Sequence, residues 1–136
     1  MAANTFELEV ATPEKLVIKA TCKEATLPGA DGYLGILPQH APLLSRLASG
    51  LITYRTADGR EEKLAVHGGY LEVQPDMVRV LADAAERPDE VDAARAQEAL
   101  KRAQDRVAKL PPNVDIARAL NALKRAQTRL EISSQK

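Results

Sequence analysis

The chain has 136 residues, of which 45% are hydrophobic, enough for one modest core and unlike the composition of a disordered segment. Aromatic residues make up only 3% and Trp is absent, so the core must come from Leu, Ile, Val and Ala, and there is too little π surface for stacking bases; no nucleic-acid partner is expected. Lys plus Arg and Asp plus Glu number 19 each, a balance that removes any broad attraction to polyanions or membrane surfaces and leaves function to local charge.

From Thr5 to about Ala85 the apolar residues recur with period two, as in Phe6, Leu8 and Val10 and again from Met77 to Leu81, which predicts short β-strands. Turn chemistry separates them at Leu27 to Gly32, Ala48-Ser49-Gly50, Ala57-Asp58-Gly59, Gly68-Gly69 and Gln74-Pro75-Asp76. Such spacing suggests a sandwich or barrel. Asp58-Gly59 is the clearest hairpin signal, because both residues tolerate positive φ. A glycine pair inside a β run, Gly68-Gly69, reads as backbone geometry, a tight turn or bulge.

After Glu86-Arg87-Pro88-Asp89 the composition shifts to Ala, Arg, Gln, Glu and Lys, which are mostly strong helix formers. The boundary is placed here, giving residues 1–85 and 86–136. Asp89 is positioned to cap a first helix whose Val91, Ala96, Leu100, Ala103 and Val107 recur at helical spacing until Pro111-Pro112. A second helix is expected from near Asn113, with Ile116, Leu120, Leu123 and Leu130 as its apolar line, antiparallel to the first across a short connection. Ala dominates the apolar stripe, so little area is buried at about 25 cal/mol per Å² and the hairpin should be weakly held. A two-helix unit of this kind needs the sandwich, a partner or a ligand to fix it, which makes it a candidate moving part.

The single Cys22 has no internal disulfide partner, and Met1 to Phe6 lack the basic start and apolar stretch of a secretory signal, which points to a reducing, cytosolic location. No apolar run approaches the roughly 18 residues of a membrane helix, so no direct membrane insertion is expected. Catalytic signatures are missing: there is no phosphate loop, no dinucleotide fingerprint among the glycines at 29, 32 and 35, and no nucleophile elbow. His40, His67 and Cys22 have no zinc-ligand spacing, so neither a metal nor a required cofactor is expected.

One constellation does carry chemistry. Asp92 and Arg95 lie one helical turn apart, Arg102 falls two turns beyond Arg95 on about the same face, and Arg125 and Arg129 are a turn apart on the second helix. Folding the helices together would converge several guanidinium groups on a phosphate chain. The plain alternative is a solvated face on which Glu98 pairs with Arg95 or Arg102, each pair contributing about 0.2 to 0.5 kcal/mol.

Three stretches, Gly32 to Leu43, Gly68 to Val73 and Val91-Asp92-Ala93-Ala94-Arg95-Ala96, together resemble the epsilon subunit of bacterial and chloroplast ATP synthases, in an order that fits from near the N-terminus to Leu130. Glu131 to Lys136 then resemble the family's variable tail. The resemblance implies a β-sandwich of about ten short strands followed by a C-terminal antiparallel α-helical hairpin. It implies a non-catalytic rotor subunit whose sandwich joins the gamma subunit to the c-ring of the ion-translocating enzyme, peripheral at the cytoplasmic face of the plasma membrane. The hairpin would fold beside the sandwich or extend along gamma to block ATP hydrolysis.

The resemblance also assigns residues. Tyr33 and His40 fall in the region facing the c-ring, with Tyr33 where some relatives carry an acidic residue, so that contact would be hydrogen-bonded rather than ionic. The plain reading is a sandwich corner in which His40 satisfies local backbone groups. Tyr70 and Glu72 are gamma contacts by the same analogy. A regulatory ATP would be bound by Glu86, Asp92, Arg95, Ala96, Arg102, Arg125 and Arg129, the acidic groups suiting adenine or ribose donors and the arginines phosphates. Arg118, Lys124, Arg125 and Arg129 would meet an acidic segment of the catalytic beta subunit in the extended state. The rival is a free-standing nucleotide-sensing adaptor module, distinguished by whether the chain binds gamma and co-purifies with a membrane ATPase.

Overall fold

The computed structural model describes residues 4–109 and 115–134. Seven strands, β1 (Phe6–Ala11), β2 (Leu16–Gly29), β3 (Gly32–Ile36), β4 (Leu43–Leu47), β5 (Gly50–Thr56), β6 (Glu61–Val73) and β7 (Met77–Glu86), form a sandwich. A single 3-10 turn (Pro88–Glu90) and two helices, α1 (Ala93–Lys109) and α2 (Ile116–Ser133), follow. The expectation of about ten short strands is corrected to seven, because two of them are long enough to serve both layers. β2 pairs with β1 through Leu16 to Cys22 and with β5 and β3 beyond it, after a register shift between Cys22 and Glu24. β6 pairs with β5 through Glu61 to Val66 and with β4 through Gly69 to Val73. β1 closes the sheet by lying parallel to β7 and antiparallel to β2.

The glycine pair marks the passage of β6 between its two partners. Gly68 and Gly69 take φ of 74° and 121°, and a Cβ at Gly69 would stand 2.0 Å from the Leu81 carbonyl oxygen. Neither conformation nor space admits a side chain there, as the structural reading of the pair required. The Asp58-Gly59 hairpin forms as expected: Gly59 has φ 91° and donates its N–H to Thr56 O at 2.9 Å, and Thr56 and Arg60 close the ladder at 2.8 Å.

Alternation then fills the core. Phe6, Leu8 and Val10 of β1, Leu71 and Val73 of β6, and Val78, Val80 and Ala82 of β7 all point inward with Leu27, Ile36, Ile52 and Leu64. Cys22 lies in the same core, where burial pushes its thiol up to about 11, so it is a packing residue with little thiolate near neutral pH.

A second, smaller cluster joins the hairpin to the sandwich: Leu51 and Ala65 from the sheet, Val91, Ala96 of α1, and Ile132 of α2, with Leu130 beside them. The cap of α1 is Asp92, whose carboxylate accepts the Arg95 N–H at 3.1 Å. The Asp89 cap is therefore corrected, because Pro88 starts only a 3-10 turn and Val91 returns to extended backbone (φ −97°, ψ 126°) before the α-helix begins. Asp115 caps α2 by accepting from the Arg118 N–H at 3.2 Å; the Pro111-Pro112-Asn113 connection and the start near Asn113 lie outside the described residues.

The apolar line of α2 is also revised. Ala119, Ala126, Thr128 and Ile132 are its buried residues, whereas Ile116 and Leu120 are exposed. Ile132 is fully buried, inside the stretch that sequence reading assigned to a variable tail. No described helix is long and apolar enough to cross a membrane.

Candidate functional site

The hairpin lies against the sandwich, and two clefts open along that seam. The first, of about 370 Å³, is lined by Glu86 from the end of β7, Glu90 and Val91, Asp92, Arg95, Ala96, Ala99 and Arg102 along the start of α1, and Arg129 from α2. Six of the seven residues assigned to ATP from sequence therefore border one space. The seventh, Arg125, lines the neighbouring cleft with Lys124.

Helix geometry explains the convergence. Asp92, Arg95, Ala99 and Arg102 recur at spacings of three and four and share one face of α1, so the antiparallel α2 brings Arg129 across to them. Ala96 is buried and Ala99 half-buried, so small side chains floor the cleft and leave its volume open. The guanidinium groups of Arg95 and Arg102 form no ion pair among the described residues, and the alternative pairing with Glu98 is absent there. Both cations are free to take phosphate oxygens.

Glu86 anchors the seam. Its Oε1 accepts from His67 Nε2 at 2.9 Å and from Arg129 Nε at 2.8 Å, linking the sheet to α2, while Oε2 takes no bond among the described residues. The His67 hydrogen bond, more than the Arg129 contact, holds the Glu86 carboxyl below its usual range, against an opposing effect of burial. A carboxylate accepts only, so Nε2 carries the proton in this pair.

His67 was not assigned any role from sequence. A readable signal exists: β5 and β6 alternate, but Leu51-Ile52 and Leu64-Ala65-Val66-His67 are buried without alternation. Unbroken burial means cover on both faces, by the core on one side and the hairpin on the other.

The interface residues fall into two groups. Tyr33 is exposed on β3, but its hydroxyl oxygen already accepts the Leu51 N–H at 3.0 Å. His40 lies in the β3–β4 loop with Nδ1 2.7 Å from the Ala41 carbonyl, the local bond that the plain reading anticipated, and Gln39 (φ 68°) ties the loop to Pro75 O at 2.8 Å. Tyr70 and Glu72 stand on the outer face of β6; Tyr70 pairs with Arg46 and Leu81, and Leu44 pairs with Glu72. Leu44, Tyr70 and Leu81 are 73%, 55% and 56% exposed, which makes this face an apolar patch of the kind that interfaces use. Of the basic residues of α2, Arg118 and Lys124 are exposed, Lys124 at the rim of the second cleft, whereas Arg125 and Arg129 are half-buried at the second and first clefts.

Known proteins resemble the chain over the same extents. The family model for the ATP synthase delta/epsilon chain β-sandwich domain matches residues 5–88, and that for the long α-helix domain matches residues 89–134. An ATP synthase epsilon chain of Koribacter versatilis is 54% identical over 105 residues, 77% of this chain and 73% of its own length. One from Solibacter usitatus is 52% identical over 101 residues, 74% of this chain and 75% of its own length. A chain in the Euglena gracilis mitochondrial ATP synthase structure (OSCP/F1/c-ring) shares the fold with a TM-score of 0.82 at 17% identity, covering 98% of this chain and 82% of that one. With both domains matched and epsilon chains this similar over three quarters of its length, the chain belongs to the ATP synthase delta/epsilon chain family, as a non-catalytic epsilon subunit.

Proposed function

We propose that this epsilon subunit works in the central stalk of the ion-translocating ATP synthase, peripheral at the cytoplasmic face of the membrane. There it links gamma to the c-ring through the sandwich, and its hairpin is a nucleotide-gated brake. The coarse reading is supported by structural neighbours drawn from ATP synthase F1/c-ring and central-stalk assemblies. The exposed Leu44, Tyr70 and Leu81 face, with Glu72 at its edge, is the surface offered to gamma, and the loop carrying His40 beside Tyr33 is offered to the c-ring.

The regulatory reading rests on one observation: Glu86, Asp92, Arg95, Ala96, Arg102 and Arg129 border a single cleft made by the sheet, α1 and α2 together. A ligand that touches all three elements binds only the docked arrangement, so it favours that arrangement by its differential affinity. ATP suits the cleft because free guanidinium groups meet its phosphates, while the carboxylates of Glu86 and Asp92 accept from base or ribose. Docking also half-buries Arg125 and Arg129 at the clefts, so these two cations cannot contact an acidic segment of the beta subunit at the same time. ATP would therefore withhold the inhibitory surface of α2.

Calorimetry of the full chain with ATP and ADP tests the reading. ATP should bind, and Arg95→Ala with Arg102→Ala should weaken it by about tenfold or more, the loss expected for removing charge-assisted hydrogen bonds. No heat at millimolar ATP with the fold intact would overturn it. The subunit assignment would stand, and the cleft would become a packing seam.

A further inference from the structure

We propose that the second cleft, between the β4–β5 corner and α2, is a separate binding site for a phosphate group. The cleft measures about 400 Å³ and is bordered by Arg46 of β4, His67 and Gly68 of β6, Asp83 of β7, and Asn121, Lys124 and Arg125 of α2. Its charge differs in kind from that of the first cleft. There, Arg95, Arg102 and Arg129 are matched by Glu86, Glu90 and Asp92; here, Arg46, Lys124 and Arg125 face Asp83 alone. None of these three cationic side chains has an ion pair or hydrogen bond among the described residues. Three converging cations that lack a protein partner call for an anion.

An independent observation points the same way. His67 is 5% exposed and borders this cleft, its Nε2 is committed to Glu86, and its Nδ1 is buried with no hydrogen-bond partner among the described residues. An orphaned buried nitrogen is costly and calls for a ligand. A small turn of the ring towards the cleft would let a hydrogen phosphate serve Nδ1 in either protonation state, donating its own P–OH to the neutral ring or accepting from the charged one. The Asn121 amide adds a neutral donor. The Glu86 bridge to His67 and Arg129 stands between the two clefts, so this site is divided from the first one. Because α2 supplies Asn121, Lys124 and Arg125 to the wall and the sheet supplies the rest, an anion here would stabilise the docked hairpin as well.

The occupant is free inorganic phosphate, and one set of titrations separates it from the tail of a nucleotide held in the first cleft. The full chain is titrated with inorganic phosphate at constant ionic strength, alone and saturated with adenosine or ATP, and compared with the Arg46→Ala/Lys124→Ala variant. The expected result is saturable phosphate binding that the variant loses by about tenfold or more, as removal of two charge-assisted contacts requires. Binding that persists beside ATP assigns the site to free phosphate. Binding that survives adenosine but is displaced by ATP overturns the proposal, because the cleft then holds only the nucleotide's tail. Absence of phosphate binding to the folded wild-type chain, or unchanged affinity in a folded variant, overturns the proposal. Both substituted residues are exposed, so the variant's unchanged melting temperature without phosphate serves as the folding control.

Discussion

Glu86 carries more of the hairpin seam than any other charged residue, since one oxygen accepts from both His67 and Arg129. Replacing it by Gln keeps the shape and removes the charge, and should weaken docking by about 1 to 3 kcal/mol, the range for losing charge-assisted bonds at a partly buried site. The sign of the acid response follows from the lowered carboxyl. Its contribution is fully present above the unfolded value of 4.5 and is lost as pH falls through the lower folded-state value. Hydrogen exchange of α2 should therefore accelerate in wild type as pH drops below 4.5, relative to intrinsic rates, while Glu86→Gln stays flat in that window. A parallel response in both proteins would place the acid sensitivity elsewhere.

At the scale of elements, the glycine pair of β6 tests how the sandwich turns. Gly69→Ala meets both a φ of 121° and the Leu81 carbonyl, so it should cost more than about 3 kcal/mol in urea unfolding, beyond the 1 to 3 of backbone strain alone. Gly68→Ala should cost less, because its φ of 74° is milder and its nearest clash is the movable Asp83 carboxylate. Equal costs would mean that the sheet relaxes around Gly69. The helices hold less tightly than the strands. Ile132, with the half-buried Leu130 beside it, supplies the large side chains of α2 at the joining cluster, and alanines supply much of the remaining helix contact, so burial there stabilises by only a few kcal/mol.

At the scale of the whole molecule, much of this arrangement was legible in the chain. Alternation at Phe6, Leu8 and Val10 and the turn at Asp58-Gly59 marked strands because period two and positive φ are local properties. The strand count was not legible, because whether β2 and β6 continue through a bend depends on partners far away in sequence. Ile116 and Leu120 matched a helical stripe yet stay exposed, while Ile132 is buried: periodicity defines a face but not which turn of it meets the sheet. The same limit applies to the clefts. Asp92, Arg95 and Arg102 were readable as one helix face, but the place of Arg125 in the other cleft and the bond from His67 to Glu86 depend on how α2 docks.

The central claim is that nucleotide holds the hairpin against the sandwich. Amide hydrogen exchange of the full chain, with and without saturating ATP, reads this directly. The account predicts slower exchange across Ala93–Lys109 and Ile116–Ser133, unchanged exchange in the core strands, and loss of the effect in Arg95→Ala/Arg102→Ala. ATP bound by calorimetry with no change in exchange of α2 would contradict it, leaving a nucleotide site that does not govern the hairpin.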